Sequence, residues 1–202
     1  MPEIIKQILS VVPLAVLLLS LGAAGTSLGL IQANTDNGIA CRFFITYTQA
    51  MNSSLINYNV PTCKLSVASA AIATICLALL TAIELISVLF QINVKRLIAV
   101  IIQAGFFVGS ILFLLITMIV VSAGWGKTCA TYKNIMSLDG NIDCTGPQYF
   151  SGVGPYAPNG ADFITAAVLA GVGAAIAAGA FCYSIVKLMR RSKDDNETTL
   201  NY

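Results

Sequence analysis

The chain has 202 residues, of which 57% are hydrophobic and only 10% charged. A soluble domain carries roughly 25% charge, so this chain lacks the polar surface to cover itself in water. Its net charge of +2 offers no basic excess for nucleic-acid binding, and it has no histidine, the commonest general base and zinc ligand. No nucleic-acid partner, metal, cofactor or enzymatic chemistry is expected.

Four apolar stretches, at about 8–31, 65–90, 97–121 and 161–188, are long enough to cross a bilayer core of about 30 Å, which takes ~20 helical residues. Without water in that core each span must satisfy its own backbone, and a helix does so. The expected fold is an all-α membrane protein. It is a single four-helix transmembrane bundle, with loops at 32–64, 91–96 and 122–160 and a tail at 189–202. Lys6 and the small residues Gly22-Ala23-Ala24-Gly25 would also suit a cleaved signal peptide. Signal cores run only about 7–15 residues, so a retained span is favoured. Pro13 is expected to kink the first helix or ease its start.

Orientation follows from the basic residues flanking the spans. Lys6, Lys95, Arg96, Lys187, Arg190, Arg191 and Lys193 crowd short segments on one side, whereas Arg42, Lys64, Lys127 and Lys133 are spread over the two long loops. Both termini are therefore expected in the cytosol and the long loops outside or in a lumen. Cysteine placement agrees: Cys41 and Cys63 lie in the first long loop, Cys129 and Cys144 in the second. A pair in each loop of an oxidising compartment reads as disulfides. Four cysteines allow three connectivities, and Cys41–Cys63 with Cys129–Cys144 is preferred. The residues between the first pair resemble a small disulfide-tied extracellular β-hairpin, with β-prone Arg42 to Thr48, alternating Ile56, Tyr58 and Val60, and turn residues at Asn52-Ser53-Ser54. That tripeptide is also a glycosylation sequon, making Asn52 the expected site. Asn196-Glu197-Thr198 falls on the cytosolic side. In the second loop, 146–160 is Gly- and Pro-rich and expected to be an irregular lid.

Glu84 is the only acidic residue well inside a span, about six residues from its end, and Gln103 lies at a matching depth on the next span. A charge near mid-membrane costs about 2.5–3.5 kcal/mol on insertion scales. A Glu84–Gln103 hydrogen bond is the favoured remedy, ahead of a contact to a partner subunit or ion handling. Gly25-xxx-Gly29 and Gly105-xxx-Gly109 suit close packing within the bundle. The fourth span, with Gly171, Gly173 and Gly179 among many alanines, is small on nearly every face and so a candidate surface for an external partner. Cys182, and less plausibly Cys76, could carry a lipid, but a small buried apolar role is favoured. Trp125 is placed as an interface anchor. Basic residues from Lys187 on attract anionic lipid, limited by Asp194, Asp195 and Glu197.

Several of these features together resemble the transmembrane protein 179 family: Cys41-Arg42 opening the first loop, Asn52-Ser53-Ser54-Leu55, Cys63 before the second span, Ser137 to Cys144 after Cys129, and Asn159 to Asp162 leading into the fourth span. The resemblance implies a non-enzymatic membrane protein of the secretory pathway or cell surface. The expected function is an auxiliary subunit packing beside a larger integral-membrane channel or receptor. The alternative is a self-associating tetraspan that organises vesicle or junctional membrane or forms a pore. Either would sit among membrane lipid, in the plasma membrane or secretory-pathway vesicles.

Overall fold

In the computed structural model, residues 2–36, 40–41, 45–50, 53–58, 60–90, 97–135, 144–145 and 159–200 are described. Four long helices dominate: α1 (Pro2–Ala33), α2 (Val60–Phe90), α3 (Leu97–Ile135) and α4 (Gly160–Leu200). Each is long and apolar enough to cross a membrane, over Val11–Ala33, Pro61–Phe90, Val100–Thr131 and Gly160–Met189. They pack as an up-down-up-down bundle in which α1 touches α2 and α4, and α3 touches the same two helices.

The core-facing register is a seven-residue repeat on every helix. The buried positions are Leu17, Ser20, Ala24, Ser27, Ile31 and Asn34 on α1, and Cys63, Ser66, Ala70, Ala73, Leu77 and Leu80 on α2. On α3 they are Phe107, Ser110, Leu114, Thr117, Val121 and Thr128, and on α4 Phe163, Ala166, Ala170, Gly173, Ala177 and Ala180. Spacing of alternately three and four residues averages 3.5, the period of helices that cross at about 20° and wind left-handed around one another. The large aliphatics lie outside: Leu19, Ile75, Ile101, Ile119 and Val168 are each more than half exposed. A bundle that buries serine and alanine and exposes leucine and isoleucine is inverted relative to a water-soluble one. Its stable surroundings are hydrocarbon, where small inward residues permit close backbone approach.

Four expectations need correction. The helices outrun the expected spans: α3 continues to Ile135, so Cys129 sits on a helix, and α4 continues to Leu200, so residues 189–200 of the expected tail are helical. The expected third span stops at about 121, but the apolar stretch runs on to Thr131, and Trp125 and Thr128 continue the inward stripe of α3 within it. Trp125 is buried, not an interface anchor, because it falls on that stripe. Gly25, Gly29 and Gly105 do not mediate packing within the bundle, since a Cβ on any of them would meet nothing within 4 Å. Finally, Val60 begins α2 rather than ending a strand.

Between α1 and α2 the chain forms two short antiparallel pairs, β1 (Thr35–Asp36) with β2 (Ala40–Cys41) and β3 (Ile45–Ala50) with β4 (Ser53–Tyr58). The second pair runs in register from Ile45 opposite Tyr58 to Ala50 opposite Ser53, which puts Ser53 and Ser54 in a strand rather than the turn. Strand β3 lies beside α3. Asn52 and the segment 146–158 fall outside the described residues.

Candidate functional site

A row of buried polar side chains on α1 bonds across the seam to α4. Ser20 Oγ donates to the Gly173 carbonyl oxygen at 2.9 Å, and Ser27 Oγ to that of Ala166 at 2.8 Å. At the end of the seam Asn34 Nδ2 donates to Asp162 Oδ2 at 3.1 Å and to the Leu30 carbonyl oxygen at 3.0 Å. The three donors are seven residues apart and so lie on one stripe of α1. On the opposite seam the hydroxyls of Ser69 on α2 and Thr117 on α3 are 2.9 Å apart. Other hydroxyls turn back on their own helix, as Thr81 does to Leu77 O and Ser110 to Phe107 O. No buried side-chain nitrogen or oxygen among the described residues lacks a hydrogen-bond partner. These hydroxyls join helices through backbone carbonyls, which is structural chemistry. Sequence reasoning passed over them, although the seven-residue spacing of Ser20, Ser27 and Asn34 was a usable signal.

The β-strand end of the bundle is latched. Cys129 on α3 is disulfide-bonded to Cys144 with Cα atoms 5.9 Å apart, which carries the chain back over the start of α4. Below the bridge Trp125 stacks on Phe163 with centroids 5.2 Å apart. Gly160 is needed there, because a Cβ would collide with the Cys144 carbonyl oxygen and the Trp125 ring. Asn159 caps α4, its Oδ1 accepting from the Ala161 N–H at 3.2 Å. Asp162 in the first turn places negative charge at the helix N-terminus, where the helix dipole favours it. Cys63 is also disulfide-bonded, and it packs with Trp125, Phe163 and Cys144 in one cluster. Cys41 closes strand β2, and its side chain is outside the described set.

The remaining expected site residues divide. Gly171 and Gly173 are used inside the bundle: a Cβ on Gly171 would come within 2.8 Å of Met118 Sδ, and one on Gly173 would touch Ala23, Leu114 and Ser20 at 3.5 Å. Gly179 faces open space. Within its span 44% of α4 is buried, against 17% of α2, so the small residues of α4 serve its own neighbours first. Glu84 and Gln103 are both half-buried at a common level, but no hydrogen bond joins them. Cys76 is half-buried and Cys182 exposed, both as free thiols. Among the described residues there is no group of three or more His, Cys, Asp or Glu that could hold a metal ion.

These features define a multi-pass membrane protein built as an inverted four-helix bundle with one latched end. No family model, curated protein or solved structure matches the chain.

Proposed function

We propose that this chain is a non-catalytic tetraspan that packs beside a larger integral-membrane protein, a channel or receptor, and affects its assembly, trafficking or gating. The observation that carries the reading is the outer face of α1. Gly22 and Gly29 are exposed with Thr26 between them, and neither they nor Gly25 would place a Cβ near any other group. Thr26 returns its hydroxyl to the Gly22 carbonyl oxygen at 2.8 Å, so it makes no polar demand on lipid. Lipid gains little from bare backbone, whereas a second helix can approach it closely. The partner face thus moves from α4, where sequence reasoning put it, to α1.

The disulfide-tied hairpin belongs to the same reading. With Cys129–Cys144 formed and Cys76 and Cys182 free, Cys41 is the one cysteine left to bond Cys63. Such a bond would fix the strand pairs against the latched end as a rigid exoplasmic contact. The density of basic residues argues for cytosolic termini, in the plasma membrane or secretory vesicles. The likeness to the transmembrane protein 179 family fits a non-enzymatic role of this kind. Purification of a tagged chain from native membranes in mild detergent, with quantitative mass spectrometry, tests the function. A stoichiometric larger membrane protein, lost on Gly22→Leu or Gly29→Leu, supports it. Recovery of the tetraspan alone as dimers or rings overturns it in favour of self-association.

A further inference from the structure

The inward register continues past the apolar core. Followed toward the end of the bundle opposite the latch, the seven-residue repeat puts Glu84 and Ser87 on α2, Gln103 on α3, and Ser184 and Lys187 on α4 at core-facing positions. All five are half-buried.

The helix contacts set their levels. Fifteen residues on from Ser69 is Glu84, and fifteen back from its partner Thr117 is Ile102, beside Gln103. Phe107 and Phe181 have ring centroids 5.6 Å apart; four residues back from the first is Gln103, and four on from the second is Ile185, beside Ser184. Glu84, Gln103 and Ser184 therefore share one tier, just beyond the last apolar tier of Leu80, Phe107 and Phe181. Lys187 follows Ser184 by three residues, about 4.5 Å further out at 1.5 Å per residue.

This tier differs from the buried interior, where every buried side-chain nitrogen and oxygen among the described residues has a hydrogen-bond partner. Deeper in the bundle, Ser20, Ser27, Asn34 and the Ser69–Thr117 pair bond across to a neighbouring helix. Here Ser184 bonds back to the Ala180 carbonyl oxygen at 2.9 Å, and among the described residues Glu84, Gln103 and Lys187 make no hydrogen bond or ion pair. A carboxylate set six residues inside the end of a membrane helix, with an ammonium-bearing residue one tier outward, is a costly arrangement unless a ligand carries the complementary charges in the same order.

We propose that this end of the bundle is a polar mouth for a zwitterionic aminophosphate group, such as the headgroup of an amine phospholipid. The ligand ammonium sits on the Glu84 carboxylate beside the Gln103 amide, and its phosphate on Lys187. A bare metal cation fits less well, because Lys187 would repel it. Glu84 lies about 9 Å along α2 from Phe90, so the mouth opens near the depth of lipid headgroups. This inference does not depend on the partner proposed above.

The test uses the full chain in mild detergent and native mass spectrometry after incubation with phosphatidylethanolamine or phosphatidylcholine. The quaternary ammonium of phosphatidylcholine has no N–H to give Glu84. A lost charge-assisted hydrogen bond corresponds to about tenfold or more in affinity, so phosphatidylethanolamine should be retained by at least that factor. Glu84→Gln should abolish the preference, and Lys187→Gln should lower retention of both lipids alike by about tenfold, since both carry the phosphate; neither should shift the melting temperature, and Thr26→Ala on the outer face of α1 changes neither retention nor preference. Equal retention of the two lipids by the unaltered chain overturns the proposal whatever the variants do, as does an undiminished preference in Glu84→Gln or undiminished retention in Lys187→Gln. Free phosphoethanolamine distinguishes the source: if it displaces the lipid at equal concentration the mouth takes soluble zwitterions, and if it does not the bilayer supplies the ligand. Both results uphold the chemistry of the site.

Discussion

Ser20 of α1 donates its hydroxyl hydrogen to the Gly173 carbonyl oxygen of α4 at 2.9 Å, and one heptad later Ser27 does the same to Ala166 at 2.8 Å. The acceptors are also seven residues apart, so the two contacts are one interaction repeated along an antiparallel seam. Serine suits it because the side chain is short enough to let the backbones approach while still reaching the neighbouring helix.

Replacing Ser20 or Ser27 by alanine should therefore be mild, about 0.6 kcal/mol and at most ~1.7, the range for interhelical hydrogen bonds in membrane proteins. Leucine at either position should cost about 1–3 kcal/mol, because it forces the helices apart. Reversible unfolding in mixed detergent micelles measures both. Leucine variants as stable as the alanine ones would show that the seam is not closely packed.

Glycine positions give a sharper contrast. Gly160→Ala sets a Cβ against the Cys144 carbonyl oxygen and the Trp125 ring, so the start of α4 must shift and stability should fall by about 1–3 kcal/mol. Gly179→Ala meets nothing and removes a flexible residue from a helix interior, so it should gain about 0.5–1 kcal/mol. Melting temperatures of the two variants should move in opposite directions.

How much of this was visible in the sequence depends on the property each feature rests on. The four spans were legible because crossing a bilayer demands apolar length, which the sequence shows directly. Rotation of the helices was not, because in hydrocarbon the buried stripe is not the more hydrophobic one. Ser20, Ala24 and Ser27 face inward while Leu19 faces lipid, the reverse of the pattern by which amphipathic helices are usually oriented. Gly25-xxx-Gly29 misled for the same reason: small residues mark a surface of close approach without saying whether the approaching helix belongs to the same chain. The common depth of Glu84 and Gln103 was legible from their distances to a short loop. Whether they bond was not, since that depends on side-chain direction within a partly open tier.

The Cys129–Cys144 bridge encloses a separation of 15 residues. Closing a loop of that length in the unfolded chain is worth about 3 kcal/mol on the chain-entropy estimate. Cys144→Ala should lower stability by an amount of that order and leave Trp125 less well held over Gly160, which tryptophan fluorescence would register as a red shift; the chain has a single Trp. Peptide mapping without reduction should link Cys63 to Cys41. A Cys63–Cys129 or Cys63–Cys144 peptide would contradict both the observed bridge and the proposed one.

Orientation can be tested without any partner. The sequon at Asn52 falls in the sequence between strands β3 and β4, which lie on the latched side of the bundle, and the one at Asn196 is on helix α4 beyond its apolar span, at the opposite end. Alternate ends of an up-down bundle face opposite compartments, so only one of the two asparagines can meet the glycosylation machinery. If basic residues hold the termini in the cytosol, peptide N-glycosidase should sharpen and lower the gel band of the expressed chain. Asn52→Gln should remove that shift and Asn196→Gln should not. The reverse result would invert the topology, and would place the Cys129–Cys144 bridge in a reducing compartment where such bonds rarely persist.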